Sequence, residues 1–421
     1  MTTSHPPGAQ AAPGRSSTQD SPLFVDGQRF SMYTPEFAAD PHAAYAEMRR
    51  QHGSLVPVML APGVPATLVI GYRAAVQILN DPAHFPADPR TWQQSVPEDC
   101  PVLPMLGWRP NALRTSGREH DRYRDANTAA IDGIDMHHMH SVIERIAIAL
   151  INEFCDEGYA DLLEQYIYKL VRNTLDHLLG CTPEIGQRVA TGSAMMFDAQ
   201  GDAEAGNAML LDALREHIAY KRSHPGNDIT SRLLNHPAGL DDEEMMHQLV
   251  TLYAAGVEPG VHLIANTLRR MLTDDHLGGD LIGGSLATRD ALDEVLFTDP
   301  PLANYCVSYP RQPILINEVW LPAHQPVVIS MAAVGADPGV AGGDRTGNRS
   351  HLAWSAGPHA CPARSVAYLI ARDAIDQLLD ALPEIQLAVP AEQLVWRPGP
   401  FHRALVALPV AFPKSAPFNL G

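Results

Sequence analysis

A stretch of about 33 residues opens at Asp241-Asp242-Glu243-Glu244 and keeps a helical spacing of apolar residues as far as Thr273. Its opening carboxylates resemble a capping box, one at the N-cap and another at the third helical position. At 1.5 Å per residue such a helix would be roughly 50 Å long. It would cross the whole molecule, so the remaining chain has to pack around it. Pro259 falls near its middle. Proline has no N–H to give, and its ring opposes the carbonyl of Ala255, so a kink and a freed carbonyl are expected there.

Helical periodicity also marks residues 112–131, 139–157, 162–179, 184–196, 205–222, 288–297 and 362–382, with a shorter piece at 226–234. Asp40 followed by Pro41 reads as an N-cap and a first helical residue, opening a helix that ends near Gly53. A second short helix covers 74–79. Short apolar runs at 56–59 and 66–70 read as a hairpin, and 314–317, Trp320, 327–329 and 405–410 as further strands. Residues 90–113 carry four prolines and read as a long loop, a kind of segment that is usually functional or disordered. There is no internal repeat and no clean linker. The expected fold class is mainly α with a small β portion. Residues 1–21 are expected to be a disordered tail and 22–421 one domain.

A length of 421 residues would by itself suggest two or three domains. The net charge of −18, from 30 basic and 48 acidic residues, argues against a nucleic-acid binder. No run of eighteen apolar residues occurs, and the first twenty residues lack the apolar core of a secretory signal, so neither a membrane span nor export is expected. Cys100, Cys155, Cys181, Cys306 and Cys361 are scattered and odd in number. They suggest neither a disulfide framework nor a zinc ribbon, and fit a reducing, cytoplasmic setting.

The strongest chemical signal is Trp354-Ser355-Ala356-Gly357-Pro358-His359-Ala360-Cys361-Pro362-Ala363, just before the helix expected at 362–382. A thiolate at a helix start is stabilised by unsatisfied N–H groups, and Pro362 suits the first helical position. Gly357 would let a flat ligand approach the backbone. The segment resembles the heme loop of the cytochrome P-450 family, F-G-x-G-x-H-x-C-x-G, with Gly357, His359 and Cys361 at the family spacing. Trp354, Ser355 and Ala363 depart from it but keep an aromatic lid and small residues. The resemblance extends over nearly the whole chain after the tail and is nearest to soluble actinobacterial members. It implies a helical prism with a small β lobe, heme b (iron protoporphyrin IX) as cofactor and Cys361 as the iron ligand. His120 and Arg124, four apart on one helix face, match the family's H-x-x-x-R pair on the heme propionates, with His359 directed to the same groups.

Three positions depart from the family. Its E-x-x-R reads Glu294-Val295-Leu296-Phe297, so the arginine is replaced by Phe297, and Glu294 is expected to pair directly with Arg345. Ser308 falls where a second propionate arginine is usual, with Arg311 displaced nearby. The A-G-x-[D/E]-T of the long helix reads Ala255-Gly256-Val257-Glu258-Pro259, keeping the acid and losing the alcohol. Proton delivery would then use Glu258, ordered water or a substrate hydroxyl. His262, one turn on, is a candidate relay member but more plausibly a packed side chain. The expected substrate pocket draws on Trp92, Leu106, Trp108, Tyr253, Val257, residues 302–307, Phe401 and His402.

The resemblance therefore implies an oxidoreductase that activates O2 with electrons from ferredoxin and ferredoxin reductase. It would hydroxylate or oxidatively cross-link a small-molecule or short-peptide natural product, working as a monomer. Arg118, Arg122, Arg124, Arg364 and Arg372 are expected to form a basic docking face for the acidic ferredoxin. The alternative is a heme-binding accessory or sensor protein without turnover, suggested by the losses at Phe297, Pro259 and Ser308.

Overall fold

The long periodic stretch forms one helix in the computed structural model, which describes residues 21, 23, 29–197, 203–273, 288–342 and 347–418. In chain order the helices are α1 (Pro35–Ala39), α2 (Pro41–His52), α3 (Tyr72–Leu79), α4 (Leu103–Leu106), α5 (Gly117–Asp132), α6 (Met136–Ile151) and α7 (Tyr168–Leu179). They continue with α8 (Pro183–Phe197), α9 (Ala203–Ser223), α10 (Ile229–Leu234), α11 (Asp242–Thr273), α12 (Thr288–Thr298), α13 (Met331–Gly335) and α14 (Arg364–Ala381). With 53% helix the fold is mainly α, as expected.

The strands are β1 (Phe30–Ser31), β2 (Leu55–Ala61), β3 (Val64–Val69), β4 (Tyr159–Asp161), β5 (Asn304–Ser308), β6 (Ile314–Ile316), β7 (Val319–Leu321), β8 (Val327–Ser330), β9 (Gln386–Leu387) and β10 (Pro409–Ala411). Five form the main sheet in the order β1-β2-β3-β8-β5. The β2–β3 hairpin is antiparallel, β8 runs parallel to β3, and β5 closes the edge antiparallel to β8. The other two sheets are small, β4-β10-β9 and the β6–β7 hairpin.

The 32-residue α11 is the axis of the helical part. Its capping box forms as the sequence predicts. The Glu244 N–H donates to Asp241 Oδ1 at 2.9 Å, and the Asp241 N–H donates back to Glu244 Oε2 at 3.0 Å. Glu244 also accepts from Arg122 and, at 2.8 Å, from the Tyr123 hydroxyl, both on α5. One turn on, the buried Gln248 carbonyl accepts from Asn127 of α5 while its amide donates to the Pro110 carbonyl. The first two turns of α11 thus fix where α5 lies. α14 packs against α6, α11 and α12, which brings the segment before it to the same region.

Several boundaries differ from expectation for local reasons. α5 begins at Gly117 rather than near 112, because the Asn111 side chain accepts from the Leu113 and Arg114 N–H groups and Thr115 bonds back to the Asn111 carbonyl. Those bonds close a turn that competes with helix. α14 begins at Arg364, so Cys361 and Pro362 belong to the preceding loop and Pro362 is not the first helical residue. The last strand is shorter than the run 405–410. Ser21, expected in the tail, is buried, and its hydroxyl donates to the Trp320 carbonyl. The rest of that tail lies outside the described residues.

Glu244→Ala removes the returning half of the capping box and both bridges to α5, so it should lower stability by about 1–3 kcal/mol. Urea unfolding checks this, with the exposed neighbour substitution Glu243→Ala expected to stay within about 0.5 kcal/mol.

Candidate functional site

The cysteine loop leaves β8 and α13 behind and turns tightly before α14. Gly357 has φ +67°, and a Cβ there would meet the Leu79 carbonyl oxygen at 2.2 Å. Glycine is therefore required here by the close approach of the end of α3, whatever else approaches the loop. The Cys361 N–H donates to the Trp354 carbonyl at 2.8 Å, and the Ala360 N–H to the Gly357 carbonyl. Burial pushes the Cys361 thiol up, while the Ala363 N–H and the Arg124 and Arg364 guanidiniums pull the other way. Burial outweighs them, and coordination to a metal would reverse the balance by deprotonating the thiol.

Around that loop the chain assembles basic groups. His120 is buried on α5, with its ring centroid 4.2 Å from that of His359. Its Nδ1 contacts the exposed Asp121 at 3.2 Å, and its Nε2 is buried with no partner. Arg124, one turn later on the same face, donates to the Ala360 carbonyl beside Cys361. Arg114, buried before α5, donates to the Met105 carbonyl and the Tyr305 hydroxyl. His359 is pulled down to about 3 by its burial, then by His120, Arg124 and Arg114. Like charges gathered with an orphaned donor call for an anion.

A second cluster lies at the middle of α11. Ala254 and Ala255 are exposed although this part of the helix is inside the molecule, and residues 256–260 are half-buried. The helix borders an open space here, and Pro259 leaves the Ala255 carbonyl without its helical donor. Glu258 does not hang free into that space. Tyr168 on α7 donates to its Oε1 at 2.9 Å, Arg397 donates to its Oε2 at 2.8 Å, and His262 Nε2 stands 3.5 Å from Oε2. Burial would raise the Glu258 carboxyl, but bonds from His262 and Arg397 outweigh it and hold it well below the usual range. His262 is a packed side chain whose burial lowers its own pKa.

No family model matches the sequence. The chain is 28% identical over 389 residues to the cytochrome P450 monooxygenase PikC of Streptomyces venezuelae, covering 89% of this chain and 92% of PikC. It is 26% identical over 375 residues to the 2-hydroxy-5-methyl-1-naphthoate 7-hydroxylase of Streptomyces carzinostaticus, covering 85% and 91% of the two chains. A structure of CYP154C4 from Streptomyces sp. ATCC 11861 superposes with a TM-score of 0.84 at 25% identity, covering 93% of this chain and all of that one. These findings support the cytochrome P450 superfamily.

The P450 cofactor is an iron porphyrin with two anionic propionates, and the site suits it. The basic cluster with its orphaned His120 Nε2 fits the propionates. Ala254 and Ala255, small and exposed, leave room along the long helix. Among the described residues no group of three or more His, Cys, Asp or Glu is placed to hold a bare metal ion. The single thiol Cys361 suits an iron that brings its own equatorial ligands.

Of the P450-type residues expected from sequence, Trp354, Gly357, His359, Cys361, His120 and Arg124 are brought together, and Ala255, Gly256, Glu258 and Pro259 form the second cluster. Ser308 lies on β5 with its buried hydroxyl unpartnered, and Arg311 is exposed. Arg114 is the arginine that joins the basic cluster, and no sequence signal singled it out because it sits in an irregular turn. Tyr168 and Arg397 were also missed. Arg345 lies outside the described residues, so its expected pairing with Glu294 does too. The described arginine of that region, Arg349, pairs with Asp293 at 2.8 Å, while the buried Phe297 packs edge-on against His351. Trp92, Leu106, Tyr253 and Phe401 are core side chains, whereas Trp108, Val257 and His402 are half-buried. The expected docking face is thinner than five arginines. Arg118, Arg364 and Arg372 are exposed, but Arg122 is engaged by Glu244 and Arg124 turns inward.

A carboxyl with a depressed folded pKa stabilises the fold above its unfolded pKa, and that contribution is lost as pH falls through the folded value. Arg397→Gln should raise the Glu258 pKa and move its protonation toward the ordinary carboxylate range of about 4. Carboxylate infrared titration of wild type and variant checks this. An unchanged Glu258 titration would show that Arg397 does not set it.

Proposed function

We propose that the chain is a heme-thiolate monooxygenase that hydroxylates or oxidatively couples a small-molecule or short-peptide natural product. One observation carries the reading: Cys361 lies in a turned loop beside a converging set of basic groups with an unpartnered imidazole nitrogen. Heme b, when bound, supplies activation of O2 with electrons delivered by a ferredoxin and its reductase. Cys361 would give the axial thiolate, and His120, Arg124 and His359 would hold the propionates, with Arg114 adding charge. Trp354 would lie against the loop as an aromatic lid.

The middle of α11 would face the reacting side. Ala255 has a small, exposed side chain that would leave space open, while Gly256 lets the helix pack closely on Leu175. Glu258 would be the local proton holder, taking a proton at Oε1 or Oε2 only when its bonds from Tyr168 and Arg397 loosen. Pro259 offers no hydroxyl beside it, so ordered water or a hydroxyl of the substrate would complete the path. A substrate that brings its own phenol or alcohol suits that arrangement, which is why coupling stands beside hydroxylation. PikC is named a monooxygenase, the naphthoate enzyme is named for hydroxylating an aromatic acid, and the P450 TamI (TM-score 0.79, 25% identical) was solved with tirandamycin C bound. All three favour a natural-product substrate.

Reconstituted with ferredoxin, its reductase and candidate aromatic or peptide natural products, the protein should convert one of them. A product that gains one oxygen atom marks hydroxylation, and one that loses two hydrogens marks coupling. Failure to turn over any ligand that perturbs its heme spectrum, with reductant or with peroxide, would favour the accessory reading. Arg124→Ala should transfer heme to a competing acceptor roughly tenfold faster than Arg118→Ala, the scale of one charge-assisted hydrogen bond.

A further inference from the structure

A continuous set of hydrogen bonds joins a buried carboxylate on α12 to the backbone of Cys361. Asp293 is 4% exposed. Its Oδ1 accepts from the Tyr368 hydroxyl, and His351 Nε2 stands 3.5 Å away. Its Oδ2 accepts from Arg349 Nε at 2.8 Å, with Arg289 Nε at 3.4 Å. Tyr368, on α14, has the Arg289 guanidinium 3.4 Å over its ring. The Tyr368 oxygen in turn accepts from the Trp354 indole N–H at 3.3 Å, with the two ring centroids 5.3 Å apart. The Trp354 carbonyl accepts the Cys361 N–H at 2.8 Å. Three separated parts of the chain meet in this line: α12, α14 and the cysteine loop.

We propose that Asp293, acting through Tyr368 and Trp354, is a positioning residue that sets where the Cys361 thiol stands. A hydroxyl that donates to a carboxylate is polarised and becomes a better acceptor, so the charge on Asp293 strengthens the Trp354–Tyr368 bond. Trp354 is then held at two points, its indole N–H on α14 and its carbonyl on Cys361. Without the indole bond the Trp354 backbone is free to shift, and with it the carbonyl that accepts the Cys361 N–H. Arg349, Arg289 and His351 keep the carboxylate in place, and Phe297 fills the space under His351. Asp293, the residue beside Glu294, is thus tied to the loop. The consequence for catalysis rests on Cys361 being the heme ligand, but the positioning of the thiol does not.

Tyr368→Phe tests this, since it deletes one oxygen and keeps the ring under Arg289. Trp354→Phe is the second variant; it removes the donor of the same bond together with part of the ring that packs on Tyr368. In the heme-free protein, alkylation of Cys361 by iodoacetamide is followed by mass spectrometry of its peptide, with buried Cys155 as internal reference. Both variants should react about fivefold faster at Cys361 and unchanged at Cys155, the scale of one lost hydrogen bond. In the heme-loaded protein both should show a larger share of the thiol-bound form in the reduced, carbon-monoxide-bound spectrum. Unchanged Cys361 alkylation and an unchanged spectrum, with only a lower melting temperature, would overturn the proposal and leave Asp293 a staple between helices. If the wild type takes up no heme-thiolate, the proposed function fails while the alkylation result still decides the positioning.

Discussion

The site depends on basic side chains gathered around the cysteine loop with few carboxylates among the described residues to answer them. His120, His359, Arg124 and Arg114 converge on the cysteine loop, and the nearest acid, Asp121, reaches only the outer nitrogen of His120. Burying these groups together costs free energy: burial first, and then His120, Arg124 and Arg114, hold the His359 imidazole down at about 3, and the His120 Nε2 is left with no partner. A ligand with two carboxylates offsets that cost. The fold pre-positions the groups through α11, whose capping box and Gln248 lock α5 in place, and through α14, which carries the loop to meet it.

The polar contacts of α11 change role along its length. At its start Glu244 is shared by a cap and two side chains of α5, a structural use. At its centre Glu258 is shared by Tyr168 and Arg397 in a region open to the interior, beside a proline that interrupts the helix ladder. A carboxylate so well bonded is a poor proton carrier until a partner moves. Under the proposed function, proton movement at Glu258 would be linked to what happens at Tyr168 and at the turn holding Arg397.

Much of this was legible in the sequence where the cause is local. The Asp40 cap, the Asp241–Glu244 box and the His120–Arg124 spacing are set by residues within four positions of one another, and all three appear as expected. The cysteine loop was legible through its resemblance to a family. What the sequence did not reveal depends on contacts far apart in the chain. Gly357 is required by Leu79, Glu258 is held by a residue 139 positions away, and Arg114 joins the cluster from a turn without period. The start of α5 was misjudged because Asn111 and Thr115 bond locally and compete with helix. The replaced arginine at Phe297 drew attention to Glu294, while the ion pairs of its neighbour Asp293 depend on residues distant in the chain and were not legible.

The most direct measurement is the absorption spectrum of the reduced, carbon-monoxide-bound protein, recorded for the wild type and for Cys361→Ala. The long-wavelength Soret band of a thiolate-ligated heme should appear in the wild type and vanish in the variant. Absence of that band in a heme-loaded wild type, or its survival in Cys361→Ala, would contradict Cys361 as the iron ligand and with it the reading of the whole site.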